Sequence, residues 1–231
     1  MANTGFFHHI GTFLIFAASI LLLVTTISAP VINNIALLKV DLSGGDSSLS
    51  FGTFGYCITQ PGDDVCSGKH IGYNPAEILE GAGIEEFNRA STDSTKALTR
   101  VMILHPVACG VSFIAFLLAL GSGFCGAIFA SVVAMLAFLI SLVAVICDFV
   151  SFGIIKRHVN NEDSGNKANF SVAIWLILVA MLCLFIGTII VLLTCCSSRM
   201  HRQKRGSKHA EGGYVTGHRT KRHFWQRGNR Y

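Results

Sequence analysis

Four long apolar runs, at residues 10–27, 101–120, 125–149 and 172–193, alternate with polar stretches of very unequal length. Each run is close to or above the roughly 20 residues that a helix needs to cross a hydrocarbon core. Lipid offers backbone groups no hydrogen-bond partners, so continuous runs of this kind span as helices. The pattern predicts four membrane helices, the first ended by Pro30. Gly121-Ser122-Gly123 makes a tight turn between the second and third runs, and a polar, turn-rich loop at 159–166 precedes the fourth. The gap between the first and second runs, about residues 28–99, is the one polar stretch long enough to fold by itself.

Within that gap, residues 31–40 and 48–54 have strand-like composition, and Ser43-Gly44-Gly45-Asp46 between them is a turn signal. A small antiparallel sheet is expected, its second strand leading directly into Cys57. Residues 76–98 read as one or two short helices interrupted at Gly81 and Gly83, with Glu85 and Glu86 on a solvated face. Composition agrees with the membrane reading: 52% of residues are hydrophobic and only 13% charged, with a mean hydropathy of +0.56.

Charge then orients the chain. Ten of the eighteen Lys and Arg residues lie in the last 35 positions, where Glu211 is the only acid. Short cytoplasmic flanks of membrane helices collect Lys and Arg, which places the C-terminus inside, and four spans return the N-terminus to the same side. Lys156, Arg157 and Lys167 oppose that orientation weakly. The first run is expected to stay as a signal anchor, because no Lys or Arg precedes it and Pro30 follows Ser28-Ala29, where cleavage would occur. The expected division is a four-span membrane domain at 1–196 and a basic, disordered cytoplasmic tail at 197–231.

Cys57 and Cys66 are the only two of eight cysteines in the long loop, on the oxidising side, and a disulfide between them is expected. No metal or cofactor site follows from two cysteines and His70, and the chain carries no nucleophile, base or metal constellation, which argues against an enzyme. His8 and His9 read as incidental residues at a membrane edge.

The spacing Gly52-x-Phe54-x-x-Cys57-x8-Cys66 resembles the G-L-W-x-x-C-x8-10-C signature in the first extracellular loop of claudin-like four-span proteins. Phe54 replaces the tryptophan, which points away from animal junction proteins. Gly55-Tyr56-Cys57, Ile71-Gly72-Tyr73-Asn74-Pro75, Leu104-His105-Pro106 and Asp148-Phe149-Val150 are similar to the fungal PalI group of pH-response and eisosome-associated Sur-type proteins. The resemblance covers about residues 1–196. It implies a mainly α membrane protein, a claudin-like four-transmembrane-helix bundle carrying a small extracellular antiparallel β-sheet. It singles out Gly52, Phe54, Gly55, Tyr56, Gly72 and Tyr73 as the extracellular motif.

His105 and Asp148 are ionisable groups inside apolar runs, where such groups are costly and face the bundle interior. Helical rise puts them at depths differing by only about 4 to 5 Å, so the two are expected to pair. The pair then either titrates with external pH or forms a constitutive hydrogen bond between two helices beside a kink at Pro106, the simpler reading. Small residues four apart in the third run, such as Ala130 with Ala134 and Ala137 with Ser141, allow close helix packing, internal or against a partner span. Cys109, Cys125, Cys147 and Cys183 read as small packing residues. Asn169-Phe170-Ser171 matches a glycosylation sequon close against the fourth run.

Cys195 and Cys196, at the cytoplasmic end of the fourth run, suit S-palmitoylation. The basic tail beyond them meets anionic inner-leaflet lipids before it could meet nucleic acid, and no nucleic-acid partner is expected. The resemblance implies a non-enzymatic plasma-membrane accessory of fungal ambient-pH signalling that assists or localises a sensor complex. The alternative is an organiser of eisosome or cell-wall membrane domains, with another membrane protein, a sensor or wall-synthesis complex, as partner in either case. A transporter or channel lacks a broken-helix pair and a polar pathway.

Overall fold

A computed structural model describes residues 2–29, 31, 32, 35–43, 47–62, 64–121, 124–161 and 165–210, with the side chains of 2–5, 124, 125, 127 and 195–210 outside that description. It divides into two units, Met1–Cys195 and Cys196–Tyr231. The elements in chain order are α1 (Ala2–Thr26), β1 (Leu38–Asp41), β2 (Ser48–Phe51), β3 (Tyr56–Thr59), β4 (Asp64–Cys66), α2 (Pro75–Gly81), α3 (Arg89–Val101), α4 (Leu104–Leu120), α5 (Phe124–Asn161), β5 (Lys167–Phe170) and α6 (Val172–Ala210).

Among the described residues, four stretches are long and apolar enough to cross a membrane: Phe6–Thr26, Arg89–Leu120, Ile128–Asn161 and Val172–Thr194. Their outward side chains include Phe13, Phe129 and Leu193, each about two-thirds exposed within the chain. Helices that are apolar all round belong in lipid, where such exposure costs nothing. The protein is a multi-pass membrane protein.

Pro106 interrupts the span, as a proline inside an apolar run should. It has no N–H for the Met102 carbonyl four residues earlier, and its ring crowds that carbonyl. The break lies there, at Met102-Ile103, where a tight turn with the His105 N–H on the Met102 carbonyl (3.1 Å) separates α3 from α4. Two helices also outrun their apolar runs. α5 continues through Lys156, Arg157 and His158 to Asn161, into the stretch expected as a loop. α6 continues through 197–210, which the composition had suggested would be disordered; Arg, Lys, Gln and Met there are good helix formers. Residues 211–231 lie outside the described residues, as do Pro30 and the centre of the Gly121-Ser122-Gly123 turn.

The sheet is larger than the two strands expected, with five in the order β4-β3-β2-β1-β5, every neighbouring pair antiparallel. Strand β1 is shorter than its strand-like stretch, and β2 does not run into Cys57. A turn closed by Gly52 N–H on the Gly55 carbonyl (2.8 Å) intervenes, and Cys57 sits in β3. Strand β5, from the α5–α6 connection, pairs Leu38 with Phe170 and Val40 with Ala168, so the chain closes its own sheet from a distant segment. Asn169 of the sequon lies in this strand, exposed.

Two apolar cores result. One joins Leu38, Val40, Leu49 and Phe51 of the sheet to Leu79 of α2, Met102, Phe152 and Ile155 of α5, and Ile174 and Ile177 of α6. The other, inside the bundle, is built on Ile15, Ala18 and Leu22 of α1, Ala108 and Ala115 of α4, Ala134 and Ala137 of α5, and Ala180 and Leu184 of α6. The small residues of α5 are thus used at least in part for internal packing. At the α1–α6 crossing, a Cβ on Gly187 would lie 3.0 Å from Ile15 Cγ1 and 3.1 Å from the Gly11 carbonyl. Gly187→Leu should therefore force the two helices apart and cost about 1–3 kcal/mol, lowering the melting temperature in detergent. Gly110→Ala, at an open position, should cause no loss; equal behaviour of the two variants would show that the crossing is not close-packed.

Candidate functional site

The α3–α4 turn and the middle of α5 build the one buried ion-pair geometry among the described residues. His105, in the first turn of α4, is fully buried and Asp148 nearly so. The His105 Nε2 lies 2.9 Å from Asp148 Oδ2, and its Nδ1 lies 2.9 Å from the Met102 carbonyl oxygen. Both ring nitrogens face acceptors. The ring is satisfied when each nitrogen carries hydrogen, or when Asp148 supplies the hydrogen on the Nε2 side; in both forms one proton lies between imidazole and carboxyl. Such a pair ties α4 to α5 where lipid would penalise either partner alone.

Above the pair, the loop motif is docked on the helix ends. Gly52 packs on the end of α1 so closely that a Cβ would collide with the Ala29 carbonyl oxygen. Thr53 clamps the same place: its N–H donates to Ser28 Oγ (3.0 Å) and its hydroxyl to the Thr25 carbonyl (2.9 Å), leaving the Ser28 hydroxyl to donate to Thr53 Oγ1 at 3.1 Å. Gly72 has φ +73°, and a Cβ there would collide with Arg100 Cγ, so only glycine suits both its backbone and its neighbour. The Tyr73 hydroxyl donates to the Gly52 carbonyl at 2.7 Å, its ring lies parallel to Phe51 at 6.3 Å, and its carbonyl accepts from Thr99 Oγ1 at 2.8 Å. Burial pushes the Tyr73 phenol far up from its ordinary range and the field of Asp148 pushes the same way, so the hydroxyl stays a donor.

The motif residues thus have separate duties. Gly52, Gly72 and Tyr73 converge on the helix ends. Phe54 and Gly55 shape the turn through their carbonyls, which accept His70 N–H and Gly52 N–H, both at 2.8 Å. Tyr56 completes an aromatic trio with Phe51 and Tyr73. Cys57 and Cys66 are joined by a disulfide across β3 and β4, at the sheet edge furthest in strand order from β5. Cys109, Cys147 and Cys183 are free thiols in half-buried positions. The side chains of Cys125, Cys195 and Cys196 lie outside the described residues. His8 Nε2 is 3.3 Å from the Ala119 carbonyl at the end of α4, and no cluster of metal-ligating side chains occurs among the described residues.

Several contributors were not singled out from the sequence: Thr25, Ser28, Thr53, Thr99 and the Met102 carbonyl. The available signal was Thr95 and Thr99 four apart on one face of an otherwise polar helix; both are buried. The amide of Asn74 and the hydroxyl of Ser151 are buried without a protein partner, the sort of groups that an internal water satisfies.

A family model described as the SUR7/PalI family matches residues 7–187. The chain belongs to the SUR7/PalI family. As a SUR7/PalI protein it has a claudin-like fold, four apolar helices with a small antiparallel sheet. It is 34% identical over 109 residues to the pH-response regulator protein palI/RIM9 of Emericella nidulans, a match covering 47% of this chain and 18% of that protein. It is 38% identical over 112 residues to the pH-response regulator protein palI/prr-5 of Neurospora crassa, covering 48% of this chain and 15% of the relative. An uncharacterized membrane protein of Saccharomyces cerevisiae is 26% identical over 102 residues, 44% of this chain and 16% of its own length. The matched stretches span less than a fifth of each of these relatives.

The pair geometry sets a measurable cost. Asp148→Leu leaves a His105 ring nitrogen facing an apolar side chain and should destabilise by about 3–5 kcal/mol. The double variant His105→Leu/Asp148→Leu should be clearly less damaging than the sum of the single changes, as read by a double-mutant cycle on unfolding in bicelles. Additive losses would mean that the two side chains do not interact.

Proposed function

We propose that this SUR7/PalI protein is a non-enzymatic accessory of ambient-pH signalling in a fungal plasma membrane, assisting or localising a sensor complex that is itself a membrane protein. The observation that carries the reading is its similarity, over about half of this chain, to proteins named pH-response regulators. The proposed orientation places the sheet outside and both termini in the cytoplasm, supported by the basic residues gathered beyond 197. In that orientation the disulfide lies where oxidation is permitted. It acts as a staple for the outer surface, and the His105–Asp148 bond holds α4 to α5 beneath it.

The division of labour follows. Residues 1–196 form the membrane domain and residues 197–231 a basic arm on anionic inner-leaflet lipids, each Lys or Arg near that surface contributing at most about 1 kcal/mol. Cys195 and Cys196 serve as acylation sites. Hydroxylamine-sensitive acyl exchange should label both; no exchange at either removes that part of the proposal. The SUR7 half of the family description favours a second reading, an organiser of eisosome or cell-wall membrane domains.

A deletion strain separates the two readings. Signalling requires poor growth at alkaline pH together with failure to activate the alkaline response, restored by the full chain. Normal activation with altered membrane patches would reject the signalling role in favour of the organiser.

A further inference from the structure

The hydrogen bonds around Tyr73 form a connected series. The Gly52 carbonyl, fixed in the turn that docks on α1, accepts the Tyr73 hydroxyl at 2.7 Å. The Tyr73 carbonyl accepts Thr99 Oγ1 at 2.8 Å, a hydroxyl hydrogen shared with the Lys96 carbonyl of its own helix at 2.9 Å. Thr99 lies in the last turn of α3, and its carbonyl takes the Met102 N–H at 3.2 Å. The Met102 carbonyl faces His105 Nδ1, and His105 Nε2 faces Asp148 Oδ2, both at 2.9 Å. No step in this series crosses solvent-exposed chain: Thr99, Met102, His105 and Asp148 are all buried.

Its mechanical setting is equally defined. The α3–α4 turn is the only break between Arg89 and Leu120, so a shift of His105 acts on Met102 and through it on the last turn of α3. Arg100 packed on Gly72 holds the 72–73 segment against that turn. The lower end of the series is electrostatically isolated. The apolar helical stretches 10–26, 104–120, 128–155 and 172–194 contain no Asp, Glu, Lys, Arg or His other than His105 and Asp148. From the loop Tyr73 falls within the field of Asp148, and from α3 the nearest charged residue in sequence is Arg100. On the sheet, Lys39 and Asp41 are exposed and paired with each other at 3.5 Å.

We propose that Tyr73 is the positioning residue that couples the intramembrane His105–Asp148 pair to the sheet, so that the state of the pair sets how firmly the 52–55 turn is held on α1. The coupling goes beyond the signalling role and stands on geometry alone, so either can fail without the other. Coupling of this kind is reciprocal: what the pair does to the turn, the turn does to the pair.

The test uses the full chain in lipid nanodiscs. Hydrogen exchange is followed by mass spectrometry on a peptide spanning residues 48–59, and the His105 ring by its imidazole NMR signals. Tyr73→Phe keeps the ring on Phe51 but removes the donor to Gly52, and His105→Gln removes the pair. Each should raise exchange in the 52–55 turn about tenfold, within the usual range of coupling between sites. The double variant should rise no further than the larger single effect, and Tyr73→Phe should also move the His105 signals. Gly187→Leu, which loosens the bundle elsewhere, should leave the turn unchanged. Wild-type exchange in His105→Gln, multiplicative effects in the double variant, unmoved His105 signals in Tyr73→Phe, or an equal rise in Gly187→Leu would each overturn the coupling. Should Tyr73→Phe fail to fold, Thr99→Val cuts the same series from the other side, with the same expected and contrary outcomes.

Discussion

Lipid withholds hydrogen bonds, and most of this architecture answers to that constraint. Backbone groups are satisfied within helices, and six of the hydroxyls buried between them are turned back on the preceding turn. Thr12 donates to the His8 carbonyl, Thr25 to Leu22, Ser112 to Cys109, Ser131 to Ile128, Ser141 to Phe138 and Thr188 to Leu184, all between 2.6 and 3.0 Å. These side chains therefore pack as small groups and contribute no directional bond between helices. His105 and Asp148 cannot be satisfied that way, because neither reaches all its partners within its own turn. Their bond is consequently a polar link between α4 and α5 at that depth.

The same constraint explains what could be read from the sequence. Four spans were legible because continuous apolar runs have one structural solution in lipid. The pairing of His105 with Asp148 was legible for the opposite reason: two isolated ionisable groups at similar depth have little choice but each other. Elements outside lipid obeyed no such rule. Strands β3, β4 and β5 are only three or four residues long, and β5 is defined by register with β1, more than a hundred residues earlier in the chain. Periodicity has nothing to work on at that length. The 197–210 segment shows a related ambiguity, since its basic composition fits a solvated chain and a helix equally well.

Motif glycines show a second limit. Gly52 and Gly72 stood out through resemblance, but the reasons they must be glycine are contacts with Ala29 and Arg100, each from another part of the chain. Gly11 and Gly187 carried no signal, although their crossing brings α1 onto α6. Pro106 carried a sound one. A proline inside an apolar run marks a kink or break, and the chain breaks at Met102-Ile103, where Pro106 cannot supply the N–H that the Met102 carbonyl would take.

The two cores meet at the pair, and they are made differently. Around the sheet the packing residues are large, with Phe51, Phe152, Leu38, Leu79, Ile155, Ile174 and Met102 fully or almost fully buried, as expected where burial removes apolar surface from water. Within the bundle alanine dominates, because lipid tails give no hydrophobic drive and close approach supplies dispersion instead. On α5 the change falls between Ala137 of the bundle core and Val145 and Phe152 of the sheet core. On the α3–α4 side it falls between Met102 and Ala108. His105 therefore sits at the seam, and Asp148 meets it from the sheet side, between Val145 and Phe152, with the small side chains below. A hydrogen bond at that level resists sliding of α4 along α5, a motion that apolar packing on either side opposes only weakly because it lacks direction. The seam is where a single polar bond can fix the register between a domain shaped by water and a bundle shaped by lipid.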